Sequence, residues 1–81
     1  MKIEVLGTGC AKCNMLEAAT RSAADKLGIQ YELTHVKDLA KIAAYGVVMT
    51  PALVVDGKVR VSGKVPSEAK LTALLKDALP K

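Results

Sequence analysis

The sequence predicts an α/β fold of element order β-α-β-α-β-β-α, a four-stranded mixed sheet flanked by helices, in one domain spanning residues 1–81. Three observations lead there. Short apolar runs of strand character alternate with longer segments whose apolar residues recur every three or four positions, the helical period. The two cysteines of the chain, Cys10 and Cys13, fall where the first strand run ends and the first helical segment begins. The last two strand runs are separated by Asp56-Gly57, a strong hairpin signal.

Taken in order, Lys2-Ile3-Glu4-Val5-Leu6 alternates and then turns apolar, which suits a strand with at least one buried face. Gly7 and Gly9 break it and let the backbone turn tightly towards Cys10. From Asn14 to Leu27 the helical period puts Leu16, Thr20, Ala23 and Leu27 on one stripe. Glu17 and Arg21 form a favourable i,i+4 pair on a more exposed face, and Gly28 is placed to cap the helix. A second strand is expected from about Ile29 to Leu33, with Val36 as its outer limit and Ile29, Tyr31 and Leu33 on one face. Asp38 caps a short second helix that carries Leu39, Ile42 and Ala43 inward and ends at Gly46. Val47 to Pro51 is a loop with apolar residues, and Ala52 to Val55 a buried strand. Lys58 to Ser62 alternates cleanly, as a strand near an edge would. Gly63 to Pro66 is a second loop. Ser67 then caps a last helix with Leu71, Leu74, Leu75 and Ala78 as its apolar stripe, and Pro80 stops it. The first two strands, joined by a helix, should be parallel by the right-handed crossover rule; the last two form a hairpin.

Composition narrows the possible functions. A chain of 81 residues buries only about 60 % of the surface it exposes when unfolded. Its core must be aliphatic: there are 10 Leu, 9 Val, 3 Ile and 12 Ala, but no Phe or Trp. Two cysteines are too few for a disulfide scaffold of the secreted kind. Lys2 is not followed by a signal-peptide apolar region, and no apolar run approaches the ~20 residues that span a membrane. A soluble, cytoplasmic protein is expected, with no membrane association. The net charge of +4 comes from twelve Lys and Arg scattered from Lys2 to Lys81. Without clustering or an aromatic platform for bases, nucleic-acid binding is not expected. The basic surface favours acidic protein partners.

The candidate chemistry lies in the cysteines. On a helix, i and i+3 share one face with Cβ atoms roughly 5–6 Å apart. A modest adjustment brings such a pair to the roughly 3.5–4.5 Å of a disulfide. The partial positive charge and unpaired N–H groups of a helix N-terminus stabilise a thiolate, the form that attacks disulfides and binds metals. Lys12 adds a formal charge between the two sulfurs, and Gly9 shapes the approach to Cys10. A redox dithiol is the reading these features favour over two inert structural thiols. The alternative is a metal-binding module. Thr8-Gly9-Cys10-x-x-Cys13 is similar to the strand-to-helix loop of small heavy-metal-binding domains, and two thiolates suit Cu(I) or Zn. Two copies of the chain donating two cysteines each could also share an iron–sulfur cluster. Those metal-binding domains end in a strand, whereas this chain ends in a helix. His35 reads as a surface residue at a strand end, and Tyr45 as a side chain packed behind the second helix.

Three segments carry a family resemblance: Gly-Cys-Ala-Lys-Cys at 9–13, Met-Thr-Pro-Ala-Leu-Val-Val-Asp-Gly at 49–57 and Ser-Gly-Lys-Val-Pro-Ser at 62–67. With this element order, the chain resembles the thioredoxin-like superfamily over essentially its whole length. Within that superfamily it is most similar to the small thioredoxin/glutaredoxin-like redox-active disulfide proteins. The resemblance implies a thiol–disulfide oxidoreductase that exchanges electrons with protein or small-molecule disulfides. Cys10 would be the exposed attacking cysteine and Cys13 the resolving one. Pro51 would be the cis proline facing the disulfide, with Thr50 offering its backbone to a substrate strand. Lys12 and Gly9 would modulate the pair. The implied partners are disulfide-containing proteins and a thiol-reducing donor, and the implied state is a monomer with no cofactor and no metal. The chain departs from the family pattern in having no Trp before Cys10. Ala-Lys also stands where thioredoxin has Gly-Pro and glutaredoxin Pro-Tyr, and Gly63 stands alone where glutaredoxins carry Gly-Gly.

Overall fold

Seven elements follow the expected order: β1 (Lys2–Leu6), α1 (Ala11–Leu27), β2 (Glu32–Val36), α2 (Leu39–Ala44), β3 (Ala52–Val55), β4 (Lys58–Ser62) and α3 (Glu68–Ala78). The structure, a computed structural model, describes residues 1–7, 11–47 and 49–79. The expectations for Thr8, Gly9, Cys10 and Pro80 therefore lie outside the described residues. Among the described residues no helix is long and apolar enough to cross a membrane.

The helix ends follow from local chemistry. Gly28 takes φ +67°, and its N–H donates to Asp25 O while that of Ile29 donates to Ala24 O. This left-handed cap satisfies two of the carbonyls that α1 would otherwise leave open. Asp38 accepts a hydrogen bond from the Ala40 N–H at the start of α2, and Ser67 accepts one from the Lys70 N–H at the start of α3. The buried face of α1 consists of Cys13, Leu16, Thr20, Ala23 and Ala24. Thr20, fully buried, satisfies its hydroxyl by donating to Leu16 O at 2.7 Å.

The strands lie in the order β2-β1-β3-β4. β1 pairs in parallel with β2, from Lys2↔Glu32 to Leu6↔Val36, and antiparallel with β3, from Ile3↔Val55 to Leu6↔Ala52. β3 and β4 form the hairpin, turning at Asp56 and Gly57 with φ of +49° and +83°. Two consecutive positive values suit the right-handed twist of the flanking strands. All four residues of β3 are buried because helices cover both faces of this central strand. On one face Ile3, Val5, Leu53, Val55 and Val61 pack with α1 and with Leu71 and Leu75 of α3. On the other, Leu6, Ala52, Val54 and Val36 pack with Ile42 of α2.

Three expectations are corrected. β2 begins at Glu32 rather than Ile29, because its parallel partner begins at Lys2. The segment before it is held by Met1, whose amino group donates to Gln30 O and whose carbonyl accepts from Glu32 N–H. Ile29, Tyr31 and Leu33 nevertheless pack against the same cluster. Leu39 is 68 % exposed and Ala43 also faces solvent, since the six residues of α2 present only Ile42 inward. The alternation of β4 is interrupted. Leu53 pairs with Val61 and Val54 with Val59, so Arg60 is the extra residue of a β-bulge and Val59 is turned outward, 39 % exposed.

α3 is fastened to α1 by a polar clamp at Glu68, which accepts from the Ser22 hydroxyl and pairs with Lys26 Nζ at 3.2 Å. The Ser22 hydrogen bond, and then Lys26, hold the Glu68 carboxyl below the usual carboxylate range. A folded-state pKa below the unfolded one makes the clamp's contribution complete above the ordinary Glu value; it is lost as pH falls through the lowered one. At neutral pH Glu68→Gln should therefore be slightly less stable than the wild type, the effect being modest because the clamp is partly exposed. Urea denaturation from about pH 7 down to about pH 3 should show the two proteins converging; a gap that is constant with pH contradicts the clamp.

Candidate functional site

Gly7 extends β1 by one residue, its N–H donating to Val36 O at 2.9 Å and continuing the parallel ladder beyond Leu6. Across from it stands Cys13, the third residue of α1, with no accessible surface. A Cβ on Gly7 would lie 2.2 Å from Cys13 Sγ and 3.3 Å from Cys13 Cβ, and 3.9 Å from Thr50 Cβ. Gly7 is therefore the floor on which both the cysteine and the loop before β3 rest. Its φ is outside the left-handed region, so glycine is required here for room and not for backbone freedom.

The loop is fixed from the β4 side. The Gly63 N–H donates to Pro51 O at 2.8 Å, and the Ser62 hydroxyl donates to Met49 O at 3.4 Å. Gly63 has φ +72°, and a Cβ there would come within 3.1 Å of the Met49 Cβ and Cε. The Thr50–Pro51 peptide bond is cis, with Pro51 buried and Thr50 exposed. Met15, two residues beyond Cys13, and Met49, just before Thr50, are each 59 % exposed, giving this end of the molecule apolar surface.

Of the site residues expected from sequence, Cys13 and Thr50 thus both approach Gly7, with Pro51 next to Thr50 in the loop. Lys12 is exposed on the first turn of α1. Cys10 and Gly9 lie outside the described residues. Among the described residues, no three His, Cys, Asp or Glu side chains are grouped to hold a metal ion.

Three contributors were not foreseen from the sequence. The sequence presents Gly7 as a strand breaker, although a glycine between a strand and a helix that must dock on it is itself a signal of close approach. The Ser62–Gly63 tie pairs residues far apart in the chain and leaves no local trace. His35, expected at the surface, has a side chain only 14 % exposed; its Nδ1 lies 3.3 Å from Glu17 Oε1, because β2 presents it to α1. Its Nε2 is buried with no hydrogen-bond partner among the described residues. Tyr45 packs against the α2-side cluster, as the sequence suggests, and its hydroxyl donates to Glu4 Oε1 at 2.7 Å. That hydrogen bond, then burial and the Glu4 charge, raise the Tyr45 phenol above its ordinary value.

Residues 1–76 match the family profile described as "Thioredoxin domain". The chain is 40 % identical over 75 residues to a protein named "Thioredoxin" from Methanothermobacter thermautotrophicus, an alignment covering 93 % of this chain and 97 % of that protein. It is 36 % identical over 77 residues to a second protein of that name from Methanocaldococcus jannaschii, covering 95 % and 88 % of the two chains.

The spacing at Gly7 has a measurable consequence. Gly7→Ala should destabilise the protein by about 1–3 kcal/mol, the range for inserting a methyl into a packed site. Cys13→Ala in the same chain removes the sulfur the new Cβ would strike, so the double variant should recover much of the loss. A denaturation double-mutant cycle measures this coupling; additive losses would show that Gly7 and Cys13 do not share the space.

Proposed function

This chain belongs to the thioredoxin domain family, and on that premise we propose that it is a thiol–disulfide oxidoreductase working through the Cys10-x-x-Cys13 dithiol on disulfide-bearing proteins. The observation that carries the reading is the burial of Cys13 in the first turn of α1, against Gly7 and beside the Thr50–Pro51 loop. A sulfur without accessible surface is unable to meet a partner's disulfide directly. It is well placed to attack a neighbouring sulfur once a mixed disulfide has formed. That leaves Cys10, three residues earlier, as the thiolate that makes first contact.

The exchange runs in two steps. The Cys10 thiolate attacks one sulfur of the substrate disulfide; the substrate S–S bond breaks, and its other sulfur leaves as a thiolate that takes up a proton. Cys13, losing its proton, then attacks Cys10 Sγ in the mixed disulfide and expels the second substrate sulfur. The substrate gains two electrons, and the protein is left with a Cys10–Cys13 disulfide that a thiol-reducing donor must reopen. The α1 N-terminus and Lys12 favour the attacking thiolate by their positive charge. Exposed Thr50 offers its backbone to an extended substrate segment in the manner of an added strand. Met15 and Met49 supply adaptable apolar contact around it. A cytoplasmic, monomeric, single-domain protein with no resident cofactor completes the reading.

Mixed-disulfide trapping tests it. Cys13→Ser should accumulate covalent adducts with disulfide substrates because the resolving step is missing, whereas Cys10→Ser should not. Similar adduct yields from the two variants would overturn the ordered mechanism, and failure of the wild type to reduce any disulfide would overturn the function.

A further inference from the structure

Beside the Pro51 loop lies a cleft of about 500 Å³ between the end of β4 and the start of α3, lined by Arg60, Ser62, Lys64, Val65, Ser67 and Lys70 among others. Three of these are cations and none of the lining residues is acidic. They come from three separate places: the β4 bulge, the loop that follows it and the first turn of α3. The bulge matters most. In a regular strand Arg60 and Val61 would point to opposite faces; the extra residue breaks that alternation, and both now line one cleft.

The acids nearby leave this charge largely uncompensated. Arg60 Nη1 lies 3.9 Å from Asp77 Oδ2, a long pair whose carboxylate side chain is 82 % exposed. Glu68 is committed to Ser22 and Lys26 of α1. Lys64 and Lys70 have no ion-pair partner among the described residues. The cleft also shares residues with the candidate site: Ser62 lines it and bonds to Met49, and the next residue, Gly63, holds Pro51. A chain laid past Thr50 towards β4 would run onto these cations.

Resting on the oxidoreductase reading, we infer that this cleft holds an acidic segment of the disulfide-bearing partner polypeptide, so that substrates with Asp or Glu near their disulfide are preferred. Cations in a cleft with low-dielectric walls focus the field, attracting an oppositely charged segment and disfavouring a like-charged one. The Ser67 hydroxyl, which accepts from the Lys70 N–H, keeps its own proton to donate to a carboxylate that the lysines draw in, and Val65 gives the segment an apolar wall.

The test uses three synthetic peptides that share one intramolecular disulfide and differ in their flanks: all Asp, all Ser or all Lys. With dithiothreitol as electron donor, the wild type should reduce the Asp peptide about tenfold more efficiently in kcat/KM than the Ser peptide, with the Lys peptide slowest, and the order should collapse at high salt. Lys64→Glu/Lys70→Glu should invert the order. The distal reversal Lys41→Glu/Lys58→Glu, of equal net charge, should keep it. Equal efficiencies for the three peptides, or a distal reversal that acts as strongly as the cleft reversal, overturns the proposal. Reduction of the uncharged bis(2-hydroxyethyl) disulfide by the wild type is measured alongside; its absence refutes the oxidoreductase reading rather than the cleft. The cleft is tested separately by fluorescence anisotropy with the Asp peptide carrying Ser in place of both cysteines. Salt-sensitive binding that the cleft reversal removes supports the proposal. No binding, or displacement of the peptide by millimolar inorganic phosphate at its own affinity, overturns it.

Discussion

A missing Cβ holds the candidate site together. At Gly7 the sheet, the first helix and the loop before β3 approach more closely than any side-chain-bearing residue permits, with Cys13 Sγ 2.2 Å from where that Cβ would stand. Real Cβ contacts do not occur at such a distance, so the position of α1 on the sheet depends on this vacancy. The rest of the α1 contact face is built for the same closeness. Ala23 and Ala24 are small, and Thr20 returns its hydroxyl to the helix backbone instead of requiring a partner across the interface. Short side chains keep helix and sheet near, and dispersion contacts fall off steeply with any gap. In a chain with no Phe or Trp, this close aliphatic packing is the means by which a small core gains density.

Burial of Cys13 and attachment of the Pro51 loop are then separate problems with separate solutions. The cysteine is buried on the inner face of α1, against Gly7. The loop is fixed by hydrogen bonds from β4, whose last residue and the glycine after it hold Met49 and Pro51 from the far side of β3. Because β3 is central and fully buried, it transmits position between them without slack: Leu6 pairs with Ala52, and Ala52 with Ser62. The registers of two strand pairs therefore set where Gly7, Thr50 and Gly63 stand relative to one another. A one-residue slip in either pair would turn a core residue to the wrong face, so the hydrophobic pattern that fixes the fold also fixes the site.

Much of this was legible in the sequence, for a physical reason. Caps, turns and stripes are local: Gly28, Asp38, Asp56-Gly57 and Ser67 act within a few residues of themselves, and the helical period of α1 and α3 reports which face is buried. The element order and parallel β1–β2 pairing follow from these local features and from chain connectivity. What the sequence could not show was set through space. The start of β2 depends on where β1 begins, and the outward turn of Leu39 on the brevity of α2. His35 is largely covered because β2 turns it to α1, where Glu17 stands against it. The clean alternation of Lys58 to Ser62 misled because a bulge leaves the residue types unchanged while redirecting them. For the candidate site, motif and order single out Cys13, Thr50 and Pro51, but Gly7, which both Cys13 and Thr50 approach, reads in the sequence only as a strand breaker.

The bulge at Arg60 breaks a local rule at a specific place. Without it, Val59 and Val61 would share the inner face of β4, and Arg60 would point away from α3. With it, one valine is spent on the surface, at 39 % exposure, while Arg60 joins the lining of the cleft beside α3 and its guanidinium reaches Asp77 near the end of that helix. Exposing apolar area is unfavourable by about 25 cal/mol per Å², and nothing in the hairpin requires it, since the Asp56-Gly57 turn accommodates a regular ladder. The irregularity also protects. β4 is an edge strand, and a bulge together with Lys58 and Arg60 discourages edge-to-edge pairing with a second chain. Edge protection alone, however, would be served by a charge on either face. The face on which Arg60 is found is the one that holds Lys64, Lys70 and the residues fastening the Pro51 loop, so the departure from regular strand geometry gathers positive charge at the flank of the candidate site.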